Sequence, residues 1–301
     1  MYRVYQIDSF TRKRFHGNPA GVVANADGLT ERQMQQIARE LNNSETAFIF
    51  SSRSPEYDVE VRFFTPATEV PLCGHATIAA HYVRAIEGNL SGRFIQKTKA
   101  GLLPVEIIRD GEDYSVIMTQ AEPFVSEPFE PDVNRRITEA LGITPDDLRD
   151  DCPVAIASAG HSKIMLGIRD LKVLHSLQPD DAVLTAVSRR TGCNGFYVFT
   201  LHPDERILVH GRMFAPAIGI REDPVTGNAN GPLGIYMVHF GICPELQHED
   251  CFDFEIIQGE AIHREGGMKV HVVKNLGKPE KVQITGNAVV AFRTEIEIGD
   301  E

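Results

Sequence analysis

The sequence predicts an α+β fold of two similar, duplicated domains, each a mostly antiparallel β-barrel around a central α-helix. Three observations support this: a repeat half the chain apart, a predominance of short strands, and two helices that are apolar on nearly all sides. The repeat is explicit, since Phe64-Thr65-Pro66-Ala67 leads to Cys73-Gly74-His75-Ala76, and Phe214-Ala215-Pro216-Ala217 leads to Thr226-Gly227-Asn228-Ala229.

The repeat extends upstream at an almost constant offset, where residues 34–41 match 184–191 and residues 43–50 match 193–200. At this offset Glu45 aligns with Gly195, so one half alone carries the carboxylate. Two similar domains with one asymmetric acidic residue favour an active site in the cleft between them.

Strand signals fill both halves. Alternating apolar and polar residues bounded by Gly, Pro, Asn or Asp indicate β-strands. The predicted strands are 4–8, 21–25, 46–51, 59–64, 103–109 and 114–120 in the first half, and 154–158, 163–168, 196–201, 207–214, 252–259, 268–274 and 282–293 in the second.

Few helices interrupt the strands. Thr30 and Gln33 form a capping box for an amphipathic surface helix that runs to about Leu41. The helices beginning at Gly74 and Gly227 are apolar around most of their circumference, which predicts that a sheet surrounds each of them. Prolines and acids interrupt the alternation at 120–131 and predict a linker there. We therefore expect barrel domains at residues 1–120 and 121–287.

Composition favours a soluble protein that acts on small molecules. The 301 residues carry a net charge of -12 and the pI is about 5.4. Such acidity argues against binding to nucleic acid or to an anionic membrane. The five cysteines are scattered without metal-ligand spacing, which favours a reducing cytoplasm. The first ten residues indicate an edge strand and not a signal peptide, and no apolar run reaches membrane-spanning length.

The starts of the two buried helices are candidate anion sites. Unpaired backbone NH groups and the helix dipole at Gly74-His75 and Gly227-Asn228 are suited to a carboxylate. Either pair alone is more simply explained as a helix cap, whereas the matched pair favours binding of an acidic small molecule.

Glu45 is the candidate general acid and base. It lies just after the amphipathic helix and at the entry of an apolar strand, where partial desolvation should raise the pKa of its carboxyl toward neutrality. The alternative is a solvated loop acid. The glycine at the equivalent position favours function, because the fold does not require an acid there.

Asp223 and His75 are candidate polar partners of the reaction, since Asp223 directly precedes the second helix start and histidine titrates near physiological pH. The alternatives are a turn-initiating Asp before Pro224 and a capping His75. Cys73 at a helix start is a candidate nucleophile or base, or simply a buried cysteine. Asn18 is a candidate for substrate hydrogen bonds, although Asn-Pro is also an ordinary turn dipeptide.

Several established motifs are absent from the sequence. The dinucleotide, P-loop, zinc-protease and nucleophile-elbow patterns do not occur, and the eleven histidines do not cluster. We therefore expect a reaction without cofactor or metal.

Together these segments resemble the PhzF family of phenazine-biosynthesis isomerase-like proteins, within the wider diaminopimelate epimerase and proline racemase fold. The resemblance spans nearly the whole chain and is carried by Asp8-Ser9-Phe10, Phe15-His16-Gly17-Asn18-Pro19-Ala20-Gly21-Val22, Ser44-Glu45-Thr46-Ala47-Phe48, Arg62-Phe63-Phe64-Thr65-Pro66, Glu69-Val70-Pro71-Leu72-Cys73-Gly74-His75-Ala76-Thr77, Gly211-Arg212-Met213-Phe214 and Glu222-Asp223-Pro224-Val225-Thr226-Gly227-Asn228-Ala229. It looks most similar to bacterial members known only as uncharacterised isomerases.

The resemblance implies two duplicated barrels, an active site in the cleft and a homodimer. It implies that Glu45 moves a proton, as the matching glutamate does within a dihydro-hydroxyanthranilate, with His75 and Asp223 as polar partners. Substrate-binding roles follow for Asn18, Gly74, Gly227 and Asn228. Cys73, which the phenazine enzyme need not have, is a further substrate-binding candidate because it directly precedes Gly74. In related folds the C-terminal strand returns to the first domain, which makes residues 288–301 a candidate for that role.

Two departures from the family pattern bear on the substrate and the mechanism. The epimerases and racemases use one cysteine from each half, but here Thr226 stands opposite Cys73, which disfavours a two-thiol mechanism. Asn228 stands where the phenazine enzyme has serine.

The primary hypothesis is an isomerase that shifts a proton adjacent to the carboxylate of a small acidic metabolite. The alternatives are a racemase or epimerase that uses Cys73 with Glu45 or Asp223 as second base, and a non-catalytic protein that binds a small acid.

Overall fold

The computed structural model describes residues 1–202 and 206–299, which fold as two compact units. Unit 1 contains Met1–Thr119 and the C-terminal segment from Thr285, and unit 2 contains Gln120–Ile284. No helix in the described ranges has both the length and the apolar character that crossing a membrane requires.

Unit 1 is built mainly from strands. Its helices are α1 (Glu31–Leu41) and α2 (Gly74–Gly88). Its strands are β1 (Tyr2–Ser9), β2 (Asn18–Val23), β3 (Thr46–Ser51), β4 (Val59–Phe64), β5 (Glu69–Val70), β6 (Gly92–Thr98), β7 (Gly101–Asp110) and β8 (Asp113–Thr119).

Unit 2 is also built mainly from strands, but it contains more helices than unit 1. Its helices are α3 (Pro131–Leu141), α4 (Leu171–Ser176), α5 (Asp181–Thr191) and α6 (Gly227–Phe240). Its strands are β9 (Phe124–Val125), β10 (Ala155–Ser158), β11 (Ser162–Gly167), β12 (Phe196–Leu201), β13 (Val209–Ala215), β14 (Ile220–Asp223), β15 (Cys251–Gln258) and β16 (Gly266–Asn275). The last strand, β17 (Lys278–Ile296), begins in unit 2 and ends in unit 1.

The strands of unit 1 close into an eight-stranded barrel. β1 pairs with β2 and β17, and the ring continues through β3, β4, β6, β7 and β8, which pairs with β17. The β2–β3 and β4–β6 pairs are parallel, while β1–β2, β1–β17, β3–β4, β6–β7 and β7–β8 are antiparallel.

Unit 2 repeats this order of pairing. β10–β11 is antiparallel, β11–β12 parallel, β12–β13 antiparallel, β13–β15 parallel and β15–β16 antiparallel. The register repeats as well, since Thr46 opposite Phe64 in unit 1 corresponds to Phe196 opposite Phe214 in unit 2. The predicted α+β fold of two similar, mostly antiparallel domains is confirmed.

The two apolar helices are the cores of the units. Most residues of α2 and α6 are buried, α2 against β1, β2, β3, β4, β7 and β8, and α6 against β9, β10, β11, β15 and β16. Each large apolar side chain buried in this way contributes roughly 1.5–3 kcal/mol. Gly234 allows the close approach of α6 to β16, because a Cβ there would lie 2.7 Å from Val272 Cγ2.

Outer apolar clusters support both sheets. In unit 1, α1 places Met34, Ile37 and Ala38 against Phe48 and Phe64. The Thr30 and Gln33 capping box begins α1 as predicted. In unit 2, residues of α3, α5 and β11 form the corresponding cluster around Phe196 and Phe214.

An arginine–carboxylate pair supports the hairpin before each central helix. Arg62 Nε and Nη2 donate to Glu69 at 2.8 and 3.0 Å, and Arg212 Nε and Nη2 donate to Glu222 at 2.9 and 2.7 Å. The forked geometry holds each hairpin in one orientation and therefore positions the chain that enters α2 or α6.

Candidate active site

Glu45 lies directly before β3, with its backbone oxygen accepting from Gly21 N at 3.3 Å. This bond places the residue where β3 joins its parallel neighbour β2. The side chain is 17% exposed, so water still reaches the carboxylate. One of its oxygens, Oε2, lies 3.4 Å from His75 Nε2.

The His75 imidazole is the centre of a polar cluster. Besides Glu45, its Nε2 lies 3.2 Å from Ser44 Oγ, and its Nδ1 lies 3.4 Å from Cys73 Sγ. His75 and Cys73 are buried. The structure thus brings Glu45, His75 and Cys73 together within unit 1.

The start of α2 adds backbone donors to this cluster. The first α-helical bond runs from Thr77 N to Cys73 O at 3.0 Å, and the N-cap Cys73 makes no side-chain capping bond. The NH groups of Gly74, His75 and Ala76 therefore lie in the part of the helix that lacks intrahelical partners. Apart from its chain neighbours and the backbone of α2 itself, no heavy atom of the described chain lies within 4 Å of a Cβ built on Gly74, so the space beside it is open.

Asn18 lies at the same end of the barrel. It begins β2 and pairs with Ser9, whose hydroxyl donates to the His75 carbonyl at 2.8 Å. Asn18 is buried. Its predicted substrate role remains a prediction, but its position beside α2 is compatible with that role.

In unit 2 the residues before α6 form a dense hydrogen-bonded turn. The Thr226 hydroxyl donates to Asp223 Oδ2. Buried Gln258 donates from Nε2 to Asp223 O at 2.8 Å and to Thr226 Oγ1 at 3.0 Å. Its Oε1 accepts from Thr226 N at 3.1 Å and from Asn230 Nδ2 at 3.0 Å. Asp223 therefore lies in the turn that leads into α6. This position is compatible with both earlier interpretations, the turn-initiating residue and the polar partner of the reaction.

Gly227 and Asn228 form the first turn of α6. The N-cap Thr226 makes no capping bond to this turn, since its hydroxyl is directed to Asp223. Asn228 Oδ1 is buried without a hydrogen-bond partner in the described residues. Gln120 Nε2 donates to Gly227 O at 2.8 Å.

Lys163 is the charged residue that the sequence argument missed. It belongs to β11, its exposed fraction is 8%, and its amine donates to Ser162 O at 3.2 Å. Burial lowers the pKa of Lys163, while the charges of Cys193 and Asp223 oppose this shift. Within the strand pattern alone, Lys163 is an ordinary polar position, because the residue beside its side chain, Gly195, lies distant in sequence, directly before β12.

The unit 1 cluster also has the composition of a metal-binding set. One ligand atom each from Glu45, Cys73 and His75 lies within 4.8 Å of the others. Imidazole, thiolate and carboxylate are the ligands of zinc sites. The same groups suit proton transfer, since they combine a carboxylate, an imidazole and nearby backbone donors.

The structure defines a class of protein: two similar units rich in strands, each around a buried apolar helix, with a carboxylate–imidazole pair at the start of one helix. The chain belongs to the PhzC-PhzF family, described as phenazine biosynthesis-like protein, whose sequence model matches residues 7–294. The resemblance inferred from the sequence motifs is confirmed.

Similar proteins place the chain among isomerases. It is 54% identical over 297 residues to an uncharacterized isomerase of Clostridium acetobutylicum, covering 98% of both chains. It is 30% identical over 302 residues to the trans-2,3-dihydro-3-hydroxyanthranilate isomerase of Pseudomonas chlororaphis, covering 98% of this chain and 99% of the other. The crystal structure of a PhzF-family protein from Bacillus anthracis superposes with a TM-score of 0.89 at 31% identity, covering 99% of both. The protein is an isomerase, which sets aside the non-catalytic alternative.

Proposed function

We propose that this isomerase moves a proton adjacent to the carboxylate of a small acidic metabolite, without a cofactor, and that Glu45 is its general acid and base. The observation that carries the proposal is the 3.4 Å separation between Glu45 Oε2 and His75 Nε2 beside the open start of α2. A carboxylate in this setting is partly shielded from water and has one polar neighbour able to respond to its charge.

The proposed reaction divides between the carboxylate and the helix start. Glu45 removes a proton from one carbon of the substrate and delivers it to another carbon of the same molecule, and one of these two carbons bears the carboxylate. Negative charge develops on the substrate carboxylate when the proton leaves. Backbone NH groups at the start of α2 stabilise that charge, because they are oriented before the reaction begins. His75 Nε2, 3.4 Å from Glu45 Oε2, orients the carboxylate for both proton transfers.

Unit 2 supplies candidate binding groups. Asp223, Gly227 and Asn228 retain the substrate roles that the family resemblance implies. The unpartnered Oδ1 of Asn228 supports such a role, since a ligand donor would satisfy a buried acceptor.

We infer the class of substrate from the molecule for which a relative is named. The Pseudomonas chlororaphis relative is named for a cyclic amino acid, trans-2,3-dihydro-3-hydroxyanthranilate. We extend to this chain the general feature of that molecule, which is a small carboxylate. We also propose a cytoplasmic homodimer; the free state of the five cysteines fits a reducing compartment, and light scattering of the purified protein tests the dimer.

Replacement of Glu45 tests the proposal. We expect Glu45→Gln to lower the exchange of a carbon-bound substrate proton with heavy water by about 10²- to 10⁴-fold, the usual contribution of a general acid and base. A panel of small carboxylates including trans-2,3-dihydro-3-hydroxyanthranilate is screened by NMR. Glu40→Gln is the matched control, because Glu40 is an exposed acid on α1. Exchange by Glu45→Gln at the wild-type rate contradicts the proposal.

A racemase or epimerase is the second candidate. It is favoured by the 3.4 Å contact between Cys73 Sγ and His75 Nδ1, because a neighbouring imidazole is a suitable proton acceptor for a thiol. This mechanism requires inversion of configuration together with deuterium incorporation, and loss of both in Cys73→Ser. Retained exchange without inversion in Cys73→Ser excludes it.

A further inference from the structure

Lys163 presents an unusual combination of burial and sparse bonding. An ammonium group has three donors. In the described residues Lys163 Nζ makes one recorded hydrogen bond, to the uncharged carbonyl of Ser162. A side chain of 8% exposure that carries charge ordinarily has an ion-pair partner, because removing the charge from water is costly.

The path of this side chain is fixed by Gly195. A Cβ built on Gly195 would lie 2.2 Å from Lys163 Cδ and 2.8 Å from its Cε. Glycine at this position is therefore required for Lys163 to lie where it does. Any larger residue would displace the lysine stem.

Gly195 is also the structural counterpart of Glu45. Each directly precedes the first residue of its strand, Thr46 or Phe196, and these residues occupy the same register against Phe64 and Phe214. Their carbonyls accept from corresponding strands, Gly195 O from Ile164 N at 2.8 Å and Glu45 O from Gly21 N at 3.3 Å. Unit 2 thus places a buried cation beside the position at which unit 1 places a carboxylate.

Asp223 acts on Lys163 through its charge and favours the ammonium form, and the Asp223 side chain accepts from the N-cap of α6. His161 is the neighbouring titratable group, and burial followed by the charge of Lys163 lowers the pKa of that imidazole. An arriving carboxylate would use donors of Lys163 that are free in the described structure.

We infer that Lys163 binds a carboxylate of the acidic substrate, and that the glycine at position 195 leaves the space that the lysine stem occupies. The inference rests on the proposed function, which supplies a small acid as substrate. It assigns Lys163 to binding and not to proton transfer.

The test compares two probes of the same shape. Anthranilate carries a carboxylate, and 2-aminobenzamide carries a neutral amide in its place. Calorimetric titration of the full chain gives the dissociation constant of each. We expect wild type to prefer anthranilate, and Lys163→Met to weaken anthranilate binding by about 10- to 100-fold, the range for one charge-assisted hydrogen bond. Binding of 2-aminobenzamide should not change.

Gly195→Ala gives an independent variant that retains the amine. Its new Cβ displaces the lysine stem, so the same selective loss of anthranilate binding is expected. In a Lys163→Ala background the displaced atoms are gone, and Gly195→Ala should then cause no further loss. Lys172→Met is the control, because Lys172 is an exposed lysine of the same unit.

Three results would overturn the inference. They are equal anthranilate affinity in wild type and Lys163→Met, an equal loss for both probes, and a wild type that does not prefer the carboxylate. These measurements need no turnover. Normal proton exchange by Glu45→Gln would defeat the proposed function and leave the binding result standing, whereas unchanged binding by Lys163→Met would defeat this inference alone.

Discussion

His75 Nε2 lies 3.4 Å from Glu45 Oε2 and 3.2 Å from Ser44 Oγ, so one imidazole nitrogen serves two oxygen neighbours on the segment that enters β3. Because the histidine belongs to the first turn of α2, this contact couples the proposed proton carrier to the helix start. Removal of the His75 imidazole should therefore lower the rate of the reaction more than it lowers the stability of the fold.

We expect His75→Ala to lower the rate of proton exchange by about tenfold or more, as removal of a polar partner at a proton-transfer site usually does. Exchange is followed by NMR in heavy water, and folding by circular dichroism. His248→Ala is the control, since His248 is exposed. A variant with unchanged exchange would show that the contact with Glu45 has no catalytic consequence.

Zinc should inhibit the enzyme, although the proposed reaction needs no metal. The ligand atoms of Glu45, Cys73 and His75 lie within 4.8 Å of one another, close enough for small rotations to bring them onto one ion. We expect full activity after dialysis against EDTA, reversible inhibition by added Zn²⁺, and weaker inhibition of Cys73→Ser. Activity that is lost on dialysis and restored by Zn²⁺ would mean that the reaction itself uses metal.

Gln258 should be essential to the turn that carries Asp223. Its side chain makes hydrogen bonds to Asp223, Thr226 and Asn230, and it is fully buried. Gln258→Leu leaves several of these buried polar groups without a hydrogen-bond partner. Each such group lowers the free energy of unfolding by about 1–3 kcal/mol. We expect a loss of about 3 kcal/mol or more in the free energy of unfolding measured by urea titration. The same change at exposed Gln178 should have little effect, and equal stability of the two variants would contradict the assignment.

His81 should make unit 1 sensitive to acid. Complete burial lowers its pKa from 6.5 to about 3, with a further contribution from the charge of Arg84. The neutral ring accepts from Arg84 Nη1 at 3.1 Å through Nδ1 and donates to Gln96 Oε1 at 3.0 Å through Nε2.

Below pH 6.5 the unfolded chain therefore binds a proton that the folded chain does not, and stability falls as the pH falls toward 3. Linkage gives a loss of about 2 kcal/mol between pH 7 and pH 5 from this group. We expect urea titrations of His81→Gln to lack this part of the pH dependence. An identical slope in both proteins would show that His81 titrates in the folded state as it does when unfolded.

Much of the fold followed from periodicity and repetition. The apolar sequences after Gly74 and Gly227 predicted buried helices, and α2 and α6 begin at these residues. Alternation located most strands of both units. It missed β6 (Gly92–Thr98), whose pattern of partial burial lacks a clear two-residue period. The expected linker at 120–131 contains the short strand β9 and ends where α3 begins, because Pro131 is also a favourable first helical residue.

The candidate site was less accessible to sequence reasoning. The repeat singled out Glu45 by its glycine counterpart, and the helix starts located Cys73 and His75, which the fold then brings to Glu45. Lys163 and Gln258 gave no comparable signal. Each is a polar residue in an otherwise ordinary strand, and its environment comes from residues distant in sequence. The alignment of Gly195 with Glu45 was the available clue to Lys163. A glycine at that position leaves a space that another side chain can fill.

The pairing of β1 with the end of β17, from Tyr2 opposite Ile296 to Ser9 opposite Ala288, has a consequence for biosynthesis. During synthesis β1 must therefore wait until β17 has emerged from the ribosome. Until then the nascent unit 1 exposes an unpaired strand edge, the type of surface to which chaperones bind and through which chains aggregate. Emergence of β17, and not completion of β1 to β8, therefore sets the earliest moment at which this barrel can close.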